Sequence, residues 1–450
     1  MPGFAPKIVL ASPSIIFTSD KIIFARCVDK IIFVRYFNEK IICQHEQGDN
    51  CMPIRITTGS PAEGSEKYFP RPAITEKIWR KIGNGEHLQL TAPRRVGKTS
   101  ILKHLVQQPR EGYLVKYIIV QSVDQENEFY KRLFNELVED KKIFGQLEGY
   151  FRQASKVVKD YINRISAIGT NEVTFDNSAS LDYESELKQL IRAIDDGCEK
   201  IILEVDEFPH AVENILKLDV RAGIHFLQST REFRQDDRLS RKVQFIFTGS
   251  IGLGNIVKKI GQSNLIMDLA PVPVSPLSPE EAEFLIKEIV QGLKKFHNID
   301  LPITETCIAY ILEKIDWLIP YYIQIMIDEL CDIYEEGLPI NNQAVDEALL
   351  RIVKNKYKHD NYFEHWKSRL KISFDDLAQY NLAREVLNLL AMNQSIDKAV
   401  FHDLGIKHEV AEPQYVQGVL EYDGYINEHE GRFCFNSPIL KAWWYKNVAI

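Results

Sequence analysis

One stretch limits what this chain can be more than any other. Residues 88–102 read Leu88-Gln89-Leu90-Thr91-Ala92-Pro93-Arg94-Arg95-Val96-Gly97-Lys98-Thr99-Ser100-Ile101-Leu102. A short apolar run enters a tight basic turn, and the turn opens into a helical pattern. The order is strand, phosphate loop, helix. Gly97 lets the backbone approach an anion with no Cβ in the way, and the loop N–H groups at a helix N-terminus offer a positive field. Lys98 supplies a mobile charge for the β- and γ-phosphates, and Thr99 a hydroxyl for Mg²⁺. The spacing is that of G-x-x-x-x-G-K-[ST], with Ala92 where the first glycine is expected. A chance Gly-Lys-Thr in an ordinary loop is the competing reading, and residues downstream decide between them.

The strand Lys200-Ile-Ile-Leu-Glu-Val-Asp206 ends in the acids Asp206 and Glu207, followed by Phe208 and Pro209. In an open α/β sheet the carboxyl edge of the strands is where ligands sit. Asp206 is placed to hold Mg²⁺ and Glu207 to polarise an attacking water. Glu204 is unusual inside such a strand and needs a partner or a solvent-facing side. A second buried strand, Val243 to Thr248, ends in Gly249-Ser250, so Thr248 or Ser250 could reach the γ-phosphate or the water. The β-branched run Leu114–Ser122 predicts a strand buried on both faces.

Length bounds the rest. A chain of 450 residues is too long for one core and implies two or three domains. Net charge of −8 argues against a general polyanion binder, so nucleic-acid contact needs a local patch. Seven cysteines without metal-ligand spacing point to free thiols in a reducing compartment. No apolar run approaches a membrane span, and the N-terminus lacks the pattern of an export signal, so the expected location is cytoplasmic with no membrane partner.

Residues 1–51 carry a near-repeat, Asp20-Lys-Ile-Ile-Phe24, Asp29-Lys-Ile-Ile-Phe33 and Glu39-Lys-Ile-Ile-Cys43. They read as a small β-meander on the main domain or as an extension outside the core with Met52 as the start. The second is preferred, because three short strands rarely stabilise themselves. Residues 53–67 read as a linker or arm. Phe69 and Arg71 could line a base edge or simply pack on the core. Ser278-Pro279-Glu280-Glu281 predicts a capped helix start. Helices follow over roughly 279–296, 304–315, 320–336 and 341–357. Pro320 opens one of them beside Tyr321 and Tyr322, where ring and aromatics could face an adenine, with Tyr322 more suited to the core. Residues 358–379 are mixed. The tail reads helix end, strand, turn, strand, the order of a winged helix, then a last helix with Trp443-Trp444.

Taken together, these motifs resemble the archaeal-type ATPase family, P-loop ATPases of the AAA/STAND type that also occur in bacteria. The resemblance covers about residues 68–450. It rests on Ala92–Thr99, Asp206-Glu207-Phe208-Pro209, Thr248-Gly249-Ser250, Pro276-Leu277-Ser278-Pro279, Ile319-Pro320-Tyr321-Tyr322 and the Phe435–Leu440 tail. It departs at Phe69-Pro70-Arg71-Pro72, where the family's aromatic-x-Gly-Arg-Glu box lacks its glycine and glutamate, and at Leu318-Ile319-Pro320, which keeps only the proline of Gly-x-Pro. The resemblance implies an α/β fold: a parallel P-loop sheet (68–277), a helical lid (278–357), and a linker with a winged helix (358–450), preceded by an extension (1–67).

It implies ATP and Mg²⁺ as ligands. Ala92, Pro93, Arg94, Arg95, Val96, Gly97, Lys98, Thr99, Ser100 and Pro320 would hold the nucleotide, and Thr99 with Asp206 the metal. Lys98, Glu207 and Ser250 would be catalytic. An arginine from a neighbour could complete the site, with Arg231, Arg234 and Arg241 as candidates. The function expected is slow, regulated ATP hydrolysis driving a conformational switch toward a protein partner or another copy of the chain. The alternative is a DNA-associated ATPase of the loader or mobile-element kind. DNA is not favoured: residues 375–450 hold six Lys/Arg against eleven Asp/Glu. A basic run just before them (Arg351, Lys354, Lys356, Lys358, Lys367, Arg369, Lys371) is either a phosphate-tracking patch or a solvated face.

Overall fold

A computed structural model describes residues 53–58, 60–144, 181–195, 197–354, 358 and 360–449, together with four strands nearer the N-terminus. The chain divides into two compact units, Met1–Met52 and Pro53–Ile450. In the first, β1 (Ser14–Thr18), β2 (Lys21–Val28), β3 (Ile31–Arg35) and β4 (Ile41–Ile42) form an antiparallel meander in sequence order. The Ile-Ile pairs of the repeat, Ile22-Ile23, Ile31-Ile32 and Ile41-Ile42, therefore fall on strands.

The second unit is built on a five-stranded parallel sheet. Its strands are β5 (His87–Thr91), β6 (Tyr113–Ile119), β7 (Lys200–Asp206), β8 (Val243–Thr248) and β9 (Leu269–Pro273), in the order β6-β7-β8-β5-β9. The phosphate-loop strand β5 and the acidic strand β7 are thus separated by β8, and all three present their carboxyl ends to one edge. The inner strands are largely buried because helices cover both faces: every residue of β8 is buried, Gln244 and Thr248 included. β6 departs from the sequence expectation. It is an edge strand: Val115 enters one apolar core and Ile118 the other, while Lys116 and Tyr117 are half-buried and Ile119 is exposed.

Two apolar cores flank the sheet. The first continues without a break from the phosphate-loop helix Lys98–Gln107 into the lid and tail. The lid helices are Pro279–His297, Glu305–Ile315, Pro320–Glu335 and Asn342–Lys354. Ser278 and Glu281 close the expected capping box in both directions. Residues 53–67 are an arm that packs. Ile54 N–H donates to the Glu288 carbonyl, and a Cβ on Gly292 would meet Ile54 O at 2.1 Å. The Ala62 N–H donates to Ser100 Oγ at 3.0 Å.

The stretch read as mixed holds a helix, Asp360–Ser373, and a long helix, Leu377–Met392, follows it. A strand, two helices and a hairpin follow: β10 (Ile396–Asp397), Lys398–Lys407, Pro413–Asp423, β11 (Ile426–His429) and β12 (Arg432–Phe435). The three strands pair as β10-β12-β11. Gly424, at φ +86°, ends the helix Pro413–Asp423 in the left-handed region that glycine favours. The sequence over 126–196 is mostly helical in pattern with a break near Gly169-Thr170-Asn171, and that break lies outside the described residues. Among the described residues no helix is long and apolar enough to cross a membrane.

Candidate functional site

The phosphate loop is held by its own backbone. Gly97 sits at φ +104° and Arg95 at φ +66°. Ala92 stays out of the left-handed region, so the missing glycine imposes no backbone strain there. Lys98 Nζ donates to the Ala92 carbonyl at 2.6 Å and to the Pro93 carbonyl at 3.1 Å. Burial pulls its ammonium down to about 8, against the opposing pull of Glu207 and Asp206. A cation desolvated this way gains from an anion brought to it.

Across the edge, Thr99 Oγ1 donates to Asp206 Oδ2 at 3.1 Å, and Tyr117 OH donates to the same oxygen at 2.7 Å. Burial raises the Asp206 carboxyl, and the neighbouring Glu207 charge adds to it. One hydroxyl and one carboxylate at this spacing fit Mg²⁺, which takes one or two protein oxygens and completes its shell with water and phosphate. Among the described residues no cluster of three or more His, Cys, Asp or Glu could hold a metal without such help. Glu204 is fully buried, and neither of its oxygens has a hydrogen-bond partner. Burial, with Asp206 beside it, pushes the Glu204 carboxyl well above the usual range. It meets neither of the two conditions expected for it.

Glu207 adopts φ +61°, a conformation a glutamate resists by about 1 kcal/mol or more. The turn aims its carboxylate at the end of β8. Glu207 Oε2 accepts from Ser250 N–H at 2.9 Å, from Ser250 Oγ at 3.0 Å and from His210 Nδ1 at 2.8 Å. Burial alone would raise this carboxyl, but the His210 and Ser250 bonds outweigh it and hold the group at about 2. Gly249 makes room: a Cβ there would lie 2.5 Å from Pro209 Cδ and 3.4 Å from Glu207 Oε2.

The motifs set far apart in sequence are thus one cluster. A cavity of 340 Å³ is lined by Lys98, Thr99, Asp206 and Glu207 and also by Tyr68, Phe69, Leu285 and Tyr321. Val96, Gly97, Ser100, Ser250, Pro320 and Arg71 border it as well. Arg95 lies over the Tyr321 ring at 4.6 Å, so the loop touches the lid beside Pro320. Tyr322 is fully buried, as its expected core role requires. Arg71 donates to the Ser275 carbonyl at 2.9 Å, tying the entry segment to the stretch between β9 and the lid.

The arginines separate. Arg234 is buried and bidentate to Asp268, a structural pair. Arg231 is half-buried and Arg241 exposed, and neither touches the cluster. Arg369, which sequence reasoning left in a basic run, is instead at the site's edge. It lies 3.4 Å from Asp423 and donates to the Ser250 carbonyl at 3.2 Å. Its signal was the Phe363, Trp366, Leu370 spacing, which makes 360–373 a helix and places Arg369 beside its buried stripe. Two more members of that run are paired: Arg351 with Glu336 and Glu347, and Lys358 with Asp328 and Asp332. His210, Tyr117 and Asp423 also carried no motif.

The tail sits directly on this cluster. Tyr422 OH donates to the Gly249 carbonyl at 3.4 Å. A Cβ on Gly424 would meet Pro93 at 2.8 Å and Trp317 at 2.9 Å. Gly418 faces Asn255, a few residues past β8.

Sheet order, phosphate loop and acidic strand end define a P-loop NTPase fold carrying a helical C-terminal region. Among solved structures, the chain is similar to the Walker-type ATPase of Pyrococcus abyssi, with a TM-score of 0.53 at 16% identity over 86% of this chain and 99% of that one. It is more loosely similar to the Aeropyrum pernix ORC2 protein (TM-score 0.45, 12% identity, 82% and 89% covered) and to Cdc6p from Pyrobaculum aerophilum (0.40, 12%, 84% and 95%). No protein-family model and no curated protein matches the sequence.

Proposed function

We propose that the protein binds Mg-ATP, hydrolyses it slowly, and uses the nucleotide state to seat or release its tail. Lys98 and the loop amides would hold the phosphates, and Thr99 with Asp206 would hold the metal, which adds positive charge where the transferred phosphoryl group develops negative charge. Glu207 would orient water, and Ser250 would read the terminal phosphate. The tail then acts as a winged-helix module presented to a protein partner or to a second copy of the chain. A cytoplasmic setting suits this reading.

One observation carries it. The helix Pro413–Asp423, which a winged helix would present to DNA, has no Lys or Arg and is seated on the phosphate loop and the end of β8. A helix in that place responds to the phosphates and offers DNA no cation.

Hydrogen exchange on the intact chain tests the proposal. Backbone amides of 413–423 exchange faster with Mg and a non-hydrolysable ATP analogue than with ADP, and Lys98→Ala abolishes the difference. Equal exchange in both nucleotide states ends the switch reading.

A further inference from the structure

Arg71, Arg94 and Arg95 line the cavity, and the first and last are occupied. Arg71 is held by the Ser275 carbonyl and lies 3.8 Å from Glu281, and Arg95 covers the Tyr321 ring. Arg94 is different. It sits half-buried in the phosphate loop itself, one turn of chain before Lys98. Its Nε is shielded from solvent without a hydrogen-bond partner, and among the described residues no carboxylate forms an ion pair with it. Burial pulls the guanidinium down, the Arg369 charge adds to this, and Asp423 and Glu207 oppose it. Arg94 in turn lowers Lys98. The loop arginine is thus within electrostatic reach of both the phosphate-binding lysine and the water-orienting acid.

A cation left partly desolvated and unpaired is destabilising. Here it lies near a second one, Arg369, that is already committed to Asp423 and the Ser250 carbonyl. An anion entering the cavity would relieve both Lys98 and Arg94. The acid is also ready within the same chain. Among the described residues every hydrogen bond to the Glu207 carboxylate falls on Oε2, which leaves Oε1 for a water. We infer that Arg94 is a catalytic residue supplied in cis: its guanidinium contacts the terminal phosphate oxygens, and no arginine from a second chain is needed. This rests on the proposed ATPase reading and adds the group that stabilises its transition state. In the reaction the water oxygen bonds the terminal phosphorus as the bond to the bridging oxygen breaks. ADP leaves with that electron pair, and the water proton passes to Glu207. The negative charge carried by the moving phosphoryl group falls beside a planar fork that donates to two oxygens at once.

Full-length chains test this. Arg94→Gln is expected to lower kcat for ATP by about a hundredfold or more. Its affinity for fluorescent Mg-ADP should stay within about threefold of wild type, because the contact is to the terminal phosphate. The extra affinity of Mg-ADP with aluminium fluoride, which mimics the moving phosphoryl group, should be lost. Arg94→Lys keeps the charge but not the fork, and its kcat should fall between the two. If Arg94→Gln does not bind ADP, Arg94→Lys decides by the same readouts. Mixing Arg94→Gln with Glu207→Gln should leave both inactive, because each chain lacks part of its own site. Recovered activity in the mixture would mean that the arginine serves a neighbouring chain, and it overturns the inference. A kcat within about threefold of wild type with ADP binding kept also overturns it. So does loss of ADP binding in both Arg94 variants, which would make the residue part of the loop's frame. In each of these cases wild-type hydrolysis persists and the ATPase reading stands. A wild-type chain that binds ADP but hydrolyses no ATP removes that reading and the inference together.

Discussion

At the scale of residues, the site is a set of groups placed at some expense to stability. Lys98 is the clearest. Its ordinary value of 10.5 falls to about 8 on burial, so the folded chain binds fewer protons than the unfolded chain between those values. Stability therefore rises with pH from about 8 to 10.5, and below 8 the full penalty of the buried charge is present, at most about 3 kcal/mol. Lys98→Met is expected to raise the melting temperature of the nucleotide-free chain at pH 7 and to abolish ATP binding. A thermal melt paired with a nucleotide titration checks both, and a lower melting temperature would count against the desolvation account. Gly249 shows the opposite constraint. Gly249→Ala pushes a methyl against the Pro209 ring and should cost about 1–3 kcal/mol in chemical denaturation, with ATPase activity lost as Glu207 is displaced. Stability within 0.5 kcal/mol of wild type would show that the turn can yield.

Elements were legible where local chemistry repeats and obscure where tertiary position decides. The phosphate-loop strand and helix, the two strands ending in Asp206 and Ser250, and the helix opened by Ser278 all lie where their residue types put them. That helix start carries a prediction of its own: Ser278→Ala removes the oxygen that accepts the Glu281 N–H at 3.2 Å. It should cost about 1 kcal/mol in urea unfolding, while Ser278→Thr retains most of it. An equal loss in both variants would mean the hydroxyl is not acting as a cap. β6 misled because a β-branched run does not reveal whether a strand is central or at an edge, which is a property of sheet order. The helix Asp360–Ser373 was hidden by its charged surface, though Phe363, Trp366 and Leu370 mark its buried stripe. The candidate site was legible in its acids, loop and Ser250. It was not legible in His210, Tyr117, Arg369 and Asp423, because these act through contacts between segments far apart in sequence, and no spacing records them.

For the whole molecule the question is what the seated tail excludes. Sequence alone left a basic run from Arg351 to Lys371 free for either DNA or solvent. Folding spends much of it internally: Arg351 faces Glu336 at 2.6 Å and Glu347 at 2.9 Å, Lys358 faces Asp328 at 3.1 Å, and Arg369 is buried with Asp423. The hairpin β11–β12, where a wing would contact a backbone, pairs Arg432 with Asp397 at 3.1 Å and carries Glu428 and Glu430. A surface of this kind releases few counterions, and affinity for a polyanion comes mainly from that release. Duplex DNA added to the intact protein at 50 mM salt is therefore expected to leave the ATPase rate within about twofold, and raising salt to 200 mM should not change the ratio. The opposite result is equally concrete. A DNA-stimulated rate that falls steeply over that salt range would require a basic face that the seated arrangement does not present. If the seated tail is what covers that face, the stimulated protein should also show fast exchange in 413–423. Stimulation with the tail still protected would place the DNA contact elsewhere on the chain and would remove the tail from the role assigned to it.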